Sequence, residues 1–493
     1  MNYFIGVDVG TSATKSVLFD ENGSVIASDS QSYELKQPYN GWAQQNPIDW
    51  KNAAIKTIKE ISSKVDAESI RAVGVSGQMH GLVVLDQIGD VLYDSIIWCD
   101  QRTQKEVDKV INDLGKQKYI DLTLNAPNTS FTLFKLLWLR ENEPDIFSKV
   151  RKVLLPKDYV NFVLTGKYAT DVSDASGTGY FDVKNRKWSG EILKTFDIDK
   201  EFLPNVYESS QVIGNITENI ARQTGLSANT VVVAGAGDQA AAAVGNGVIK
   251  PGCTSISLGT SGVVFTALEK PNHDKQGRTH TFCHAKPNMW HIMSVTQGCG
   301  LSVDWFKQTF AKDLTYEQLD KNAVDVSADG IIYLPYLMGE RTPHLDPNCR
   351  GSFTGISVNH NCFNFYRAVL EGVCFSIKDC CEVICESGID LNTIKVGGGG
   401  AKSKLWLQIL ADTITENLYT SKCVESGVLG VAILASVGSG YYNSVEEASA
   451  KMTDSNLAMT RFNPGKINYY NSTYSVYKNL YFAVKSAREN KND

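Results

Sequence analysis

A chain of 493 residues that is 43% hydrophobic and 21% charged has an ordinary globular composition, long enough for about two to four domains. Its net charge of −6, with 48 basic and 54 acidic residues and the cations scattered singly, excludes the basic stripe of a nucleic-acid binder. No apolar run reaches the length of a membrane span, and the 11 cysteines, an odd number without paired CxxC spacing, read as reduced thiols of a cytoplasmic protein.

The chain opens MNYFIGVDVG, a strand pattern without the features of a signal peptide. Over IGVDVGTSATKSVLF, residues 5–19, alternating apolar positions on either side of Gly10-Thr11-Ser12 predict a β-hairpin with a tight turn. Near mid-chain the apolar TVVVA leads into GAGDQAAAAVGNG, residues 235–247. This reads as a buried strand ending at glycines, with one carboxylate, Asp238, near the strand end where open α/β sheets bind ligands. The segment NGVIKPG follows, and its Pro251 and Gly252 suit a hinge.

The next hairpin, ISLGTSGVVF at 256–265, echoes the first, with Gly259 lying 249 residues after Gly10. A repeat at half the chain length predicts two similar halves. Each would offer an anion the backbone N–H groups and hydroxyls of a Gly-Thr-Ser turn. A third glycine cluster, 397–400, stands between a strand (Ile394, Val396) and a helix with Trp406, Ile409 and Leu410 on one face, a geometry that brings backbone against a flat or anionic ligand.

These motifs, with SGQMHG at 76–81, WCDQRT at 98–103, LLPKDYVNFVLTGKYATDVSDASGTGYFD at 154–182 and YLMGERTPH at 336–344, resemble the FGGY family of carbohydrate kinases in order along nearly the whole chain. SGQMHG resembles the xylulose-directed members in particular. The resemblance implies an α/β protein of two actin-like (ribonuclease H-like) domains with a ligand cleft between them, residues 1–248 on the sugar side and 249–493 on the nucleotide side. It implies ATP-dependent phosphorylation of D-xylulose to D-xylulose 5-phosphate with Mg²⁺. A kinase for another sugar or polyol (ribulose, gluconate or glycerol) is the alternative, and an ATPase-only actin-like switch is a more distant one. The oligomeric state is not legible, a homodimer being one option.

Residue by residue, the resemblance makes Asp238 the general base, since a sugar hydroxyl needs a nearby carboxylate to take its proton. A cap on the following Ala-rich helix, bonding its N2 or N3 amide, is the structural alternative and is compatible with that role. Asp8, in DVGTS, would face bound phosphates only with a metal between, and is expected to hold Mg²⁺ through water. Met79, His80, Asp100, Arg102 and Gln239 fall on the sugar side, Gln239 standing where many relatives carry Asn. Gly10, Thr11, Ser12 and Lys15 match the first phosphate loop, with Lys15 equally readable as a solvated strand residue. Gly259, Thr260 and Ser261 match the second loop, and Gly398, Gly399 and Lys402 the adenosine segment. Trp305 and the Glu340–Arg341 pair resemble positions near the cleft, but a core aromatic and a structural ion pair explain them as well.

Overall fold

The computed structural model describes residues 1–420, 425–453 and 457–489. Its first half is built on a seven-stranded sheet in the order Val212–Asn215, Val231–Val233, Ile70–Gly77, Tyr3–Val9, Ala13–Asp20, Val25–Ser32, with Ala236–Gly237 also pairing with Ile70–Gly77. The inner strands are apolar on both faces because helices cover both. The first hairpin forms as expected, Val9 pairing with Thr14 across the Gly-Thr-Ser turn.

The second half repeats this plan. A three-stranded antiparallel ribbon (Trp290–Thr296, Gly262–Leu268, Cys253–Leu258) continues through parallel neighbours Asn392–Gly397 and Leu418–Thr420 to an antiparallel edge, Ala458–Thr460. His280–Cys283 adds a seventh strand beside Trp290–Thr296. The two Gly-Thr-Ser turns therefore occupy the same place in both sheets, at the carboxyl end of a central strand, where such sheets bind ligands.

Packing does not divide as cleanly as a cut at 248/249. Helix Ser426–Gly438, apolar all round and so built for burial, lies on the first sheet although it belongs to the later half of the chain. Glycines let it approach: a Cβ on Gly6 would stand 2.1 Å from the Val428 carbonyl oxygen, and one on Gly74 2.2 Å from that of Val431. The same helix packs on Asp238–Gly245 through Gly430 and Gly245, so the helix carrying Asp238 is clamped between the halves.

The cysteines among the described residues are free thiols, and Cys423 lies outside those residues. Among the described residues no helix is long and apolar enough to cross a membrane.

Candidate active site

Each turn closes on itself, the Gly10 N–H donating to Ala13 O at 3.0 Å and the Gly259 N–H to Ser261 O at 3.2 Å. The N–H groups of Thr11 and Ser12 and of Thr260 and Ser261 donate to no protein group among the described residues, leaving two donors in each loop for an anion. The second loop also rests on a helix end, with Gly259 O and Thr260 O accepting the N–H groups of Gly300 and Leu301.

Asp238 is the first residue of helix Asp238–Gly245, and the N-cap position is held by Gly237. Its carboxylate accepts the Gln239 N–H at 2.7 Å, so one helix-end donor is satisfied from within the first turn. The side chain is half-buried. Desolvation first, and then the negative charge of Asp8, push its pKa up to about 7. Asp8 is paired with Ser76 and Lys15 on its neighbouring strands, and burial raises its pKa too, opposed by the Ser76 hydroxyl. The equivalent position in the second half is Ser257, so only the first half brings a carboxylate to its turn.

Met79 packs on Gly237, next to Asp238, and His80 packs on Gly177, the absence of side chains at these two glycines making room for them. A Cβ on Gly237 would stand 3.0 Å from the Met79 sulfur, and one on Gly177 2.5 Å from the His80 ring. His80 has φ +71, and its carbonyl is held by Thr132 Oγ1 at 3.1 Å and by Lys135 Nζ at 2.8 Å. Burial and the Lys135 charge lower the His80 pKa to about 3, so the ring is neutral at physiological pH. Phe131 and, from the second half, Phe282 flank it.

The packing gives several residues singled out from sequence partners that no local pattern announced. Asp100 and Arg102 are buried against each other, Nη2 to Oδ2 at 2.6 Å, with the guanidinium over the rings of Trp42 and Trp138. They brace the segment bearing Trp98: Asp100 Oδ2 also accepts the Ala43 N–H and Arg102 Nη2 donates to Gln44, while Arg102 Nη1 is buried without a hydrogen-bond partner among the described residues. The Thr11 hydroxyl is likewise engaged, accepting from Trp98 Nε1 and donating to Gln78, which leaves its backbone N–H as the residue's free donor. Lys15 is ion-paired with Glu425 from the later half of the chain. Gln239, expected against sugar, lines a cavity of 660 Å³ together with Ser255, Ser257, Val263 and Lys395 of the later half.

That cavity also takes in Gly398, Gly399 and the exposed Lys402. Gly398 has φ +86 and its missing Cβ would meet Leu258 O at 2.7 Å, while the space beside Gly399 is open. Among the residues left unassigned from sequence, Trp305 stacks on Tyr333 in an aromatic cluster. Glu340 and Arg341 are not ion-paired: the Glu340 carboxylate accepts from Thr296 Oγ1, Gln297 N and the backbone N–H of Arg341. The Arg341 guanidinium has no hydrogen-bond or ion-pair partner among the described residues, and its charge is felt by His80 and His280. Single-residue sequence cues could not place it, since its surroundings come from three distant segments.

The profile of the FGGY family of carbohydrate kinases, N-terminal domain, matches residues 3–245, and that of the C-terminal domain matches 254–439. The chain is 39% identical to the xylulose kinase of Bacillus subtilis (strain 168), over 99% of this chain and 100% of that protein. Its fold is similar to that of a ligand-bound xylulose kinase from Lactobacillus acidophilus, with TM-score 0.93, 30% identity, and 98% and 99% of the two chains covered. It is also similar to a gluconate kinase from Lactobacillus acidophilus, with TM-score 0.93, 30% identity and 98% of each chain covered.

Proposed function

The chain belongs to the FGGY family of carbohydrate kinases, and on that premise we propose that it transfers the γ-phosphoryl group of ATP to D-xylulose, releasing ADP and D-xylulose 5-phosphate. The observation that carries the chemistry is Asp238, a half-buried carboxylate with its pKa raised to about 7, directly after Gly237, which packs on Met79, and directly before Gln239, which lines the cavity we assign to the nucleotide. The sugar is supported by the similarity to bacterial xylulose kinases over nearly the full chain.

In this reading the 5-hydroxyl oxygen forms a bond to the γ-phosphorus as the bond to the β,γ-bridging oxygen breaks. Its proton passes to the Asp238 carboxylate, and ADP leaves. A base with a pKa near the working pH is partly ionised and still basic enough to take that proton. His80 donates its Nδ1–H to Gly177 O and turns the Nε2 lone pair toward a sugar hydroxyl, while Met79 supplies an apolar wall. The free N–H pairs of the two Gly-Thr-Ser turns hold phosphate oxygens, and Gly398 and Gly399 bring backbone against the nucleoside.

Among the described residues no cluster of three or more His, Cys, Asp or Glu could hold a metal ion. The Asp8 carboxylate is a hard oxygen donor that fits Mg²⁺ and would hold the ion through water. When bound, the ion supplies neutralisation of phosphate charge. We place the division of the halves at 248/249, beside Gly247 and Gly252 with φ of +65 and +76, where closure around both ligands would exclude water.

Initial rates of ADP formation with D-xylulose, D-ribulose, gluconate and glycerol test the substrate. D-xylulose is expected to give the highest kcat/KM. A higher value for any of the other three refutes the sugar assignment, and the fold similarity to a gluconate kinase makes gluconate the sharpest control.

A further inference from the structure

The segment LLPKDYVNFVLTGKYATDVSDASGTGYFD contributes only Gly177, the partner of His80, to the site described above, yet it holds a dense buried cluster of charge. Lys157 is fully buried, with Nζ 2.6 Å from Asp158 Oδ1, 3.0 Å from Asp171 Oδ1 and 3.7 Å from Asp174 Oδ2. One ammonium faces three carboxyl groups, a composition that is costly to bury unless geometry or protonation relieves it. Both carboxyl oxygens of Asp174 lack hydrogen-bond partners, and burial holds its pKa well above the usual carboxylate range. Asp171 is fully engaged: Oδ2 accepts from Ser173 N at 2.8 Å, Ser173 Oγ at 2.6 Å and Ser209 Oγ at 2.7 Å.

This cluster reaches the turn of Asp238 at two points. At the near end the Lys157 ammonium donates to Ala234 O at 3.3 Å, reinforced by Asn161 Nδ2 at 2.9 Å. At the far end Ser173 Oγ, whose own proton goes to Asp171, accepts the Gly237 N–H at 3.1 Å, one residue before Asp238. Between them Gly235, at φ +76, presses so close to the neighbouring strand that a Cβ would stand 1.9 Å from Val75 O. The turn has no room to relax toward that strand, and its two flanking backbone groups are tied to one ionic cluster.

We infer that Lys157, Asp171 and Ser173 are positioning residues that fix the direction of the Asp238 carboxylate. The inference rests on the reading of Asp238 as the base. A carboxylate must lie within hydrogen-bond reach of the attacking hydroxyl, and a displacement of about 1 Å can cost ~100-fold in rate. Ser173 is the best probe, because removing one oxygen orphans the Gly237 N–H without deleting a charge.

The experiment is a double-mutant cycle of Ser173→Ala and Asp238→Asn, with kcat, both KM values and melting temperature measured for each protein. Ser173→Ala is expected to lower kcat about 10- to 100-fold with sugar and nucleotide KM unchanged. In the Asp238→Asn background it should bring no further loss, since there is no base left to misdirect. Losses that multiply, or a Ser173→Ala effect confined to KM or melting temperature, overturn the inference while leaving the base in place. Near-normal turnover of Asp238→Asn alone overturns the base reading instead. Should Ser173→Ala not fold, Ser173→Cys, which keeps a weak donor and acceptor of similar size, carries the same comparison.

Discussion

The Nδ1 atom of His80 lies 2.7 Å from the carbonyl oxygen of Gly177, and because a carbonyl only accepts, the ring proton sits on Nδ1 and the lone pair on Nε2. His80→Ala should therefore raise the KM for sugar about 10- to 100-fold, the scale of one lost hydrogen bond, and leave the KM for ATP unchanged. Gly177→Ala should imitate it, because the new Cβ would stand 2.5 Å from the ring. Steady-state kinetics of both variants check this, and a rise in the ATP KM of similar size would place His80 elsewhere.

The acid limb of the pH profile should belong to Asp238. Its pKa of about 7 predicts that kcat/KM falls as the pH drops below 7, the carboxylate being lost as a base when protonated. Asp8 raises that value through like-charge repulsion, so Asp8→Asn should move the limb to lower pH. His80, titrating near 3, adds nothing to the profile above pH 5. Rates from pH 5 to 9 for both proteins settle the order of the two limbs.

Stability should run the opposite way from activity at this residue. The folded pKa of Asp238 lies above its unfolded value of 3.8, so its contribution is fully present below 3.8 and is lost as pH rises through about 7. Asp238→Asn, which cannot ionise, should melt higher than the parent at pH 8, with the difference shrinking toward pH 4. Calorimetric melts at the two pH values test it. An equal difference at both means that the carboxylate is not destabilised by its surroundings.

What the sequence revealed and what it hid divide along a physical line. Both hairpins, the glycine cluster before helix Lys404–Ile414 and the lone acid at a strand end are local patterns, and they stand where expected. The burial of Asp100 and Arg102 was not legible because it depends on Trp42 and Trp138, far off in the chain. The ties from Lys157 to Ala234 and from Ser173 to Gly237 span 77 and 64 residues, and no periodicity could announce them. The crossing of helix Ser426–Gly438 onto the first sheet is of the same kind: its sequence says that it is buried, but not against which half.

On the nucleotide side, Gly398→Ala should be the most damaging small substitution. It forces a side chain into φ +86 and against Leu258 O, a strain of about 1–3 kcal/mol. The expected result is a lower melting temperature and weaker ATP binding with the affinity for sugar alone unchanged, read by calorimetric titration of each ligand. Unchanged ATP affinity would remove the glycine cluster from the nucleotide site.

The central claim is that Asp238 accepts the proton of the attacking hydroxyl, and single-turnover phosphoryl transfer by Asp238→Asn tests it most directly. Asparagine keeps the size of the side chain but cannot take a proton. Calorimetry should find ATP and D-xylulose still bound, transfer should fall about 100- to 10,000-fold, and added Mg²⁺ should restore none of it, whereas Asp8→Asn should recover in part with metal. Transfer by Asp238→Asn at near the parent rate would contradict the account, leaving the carboxylate as no more than the partner of the Gln239 N–H at the start of its helix.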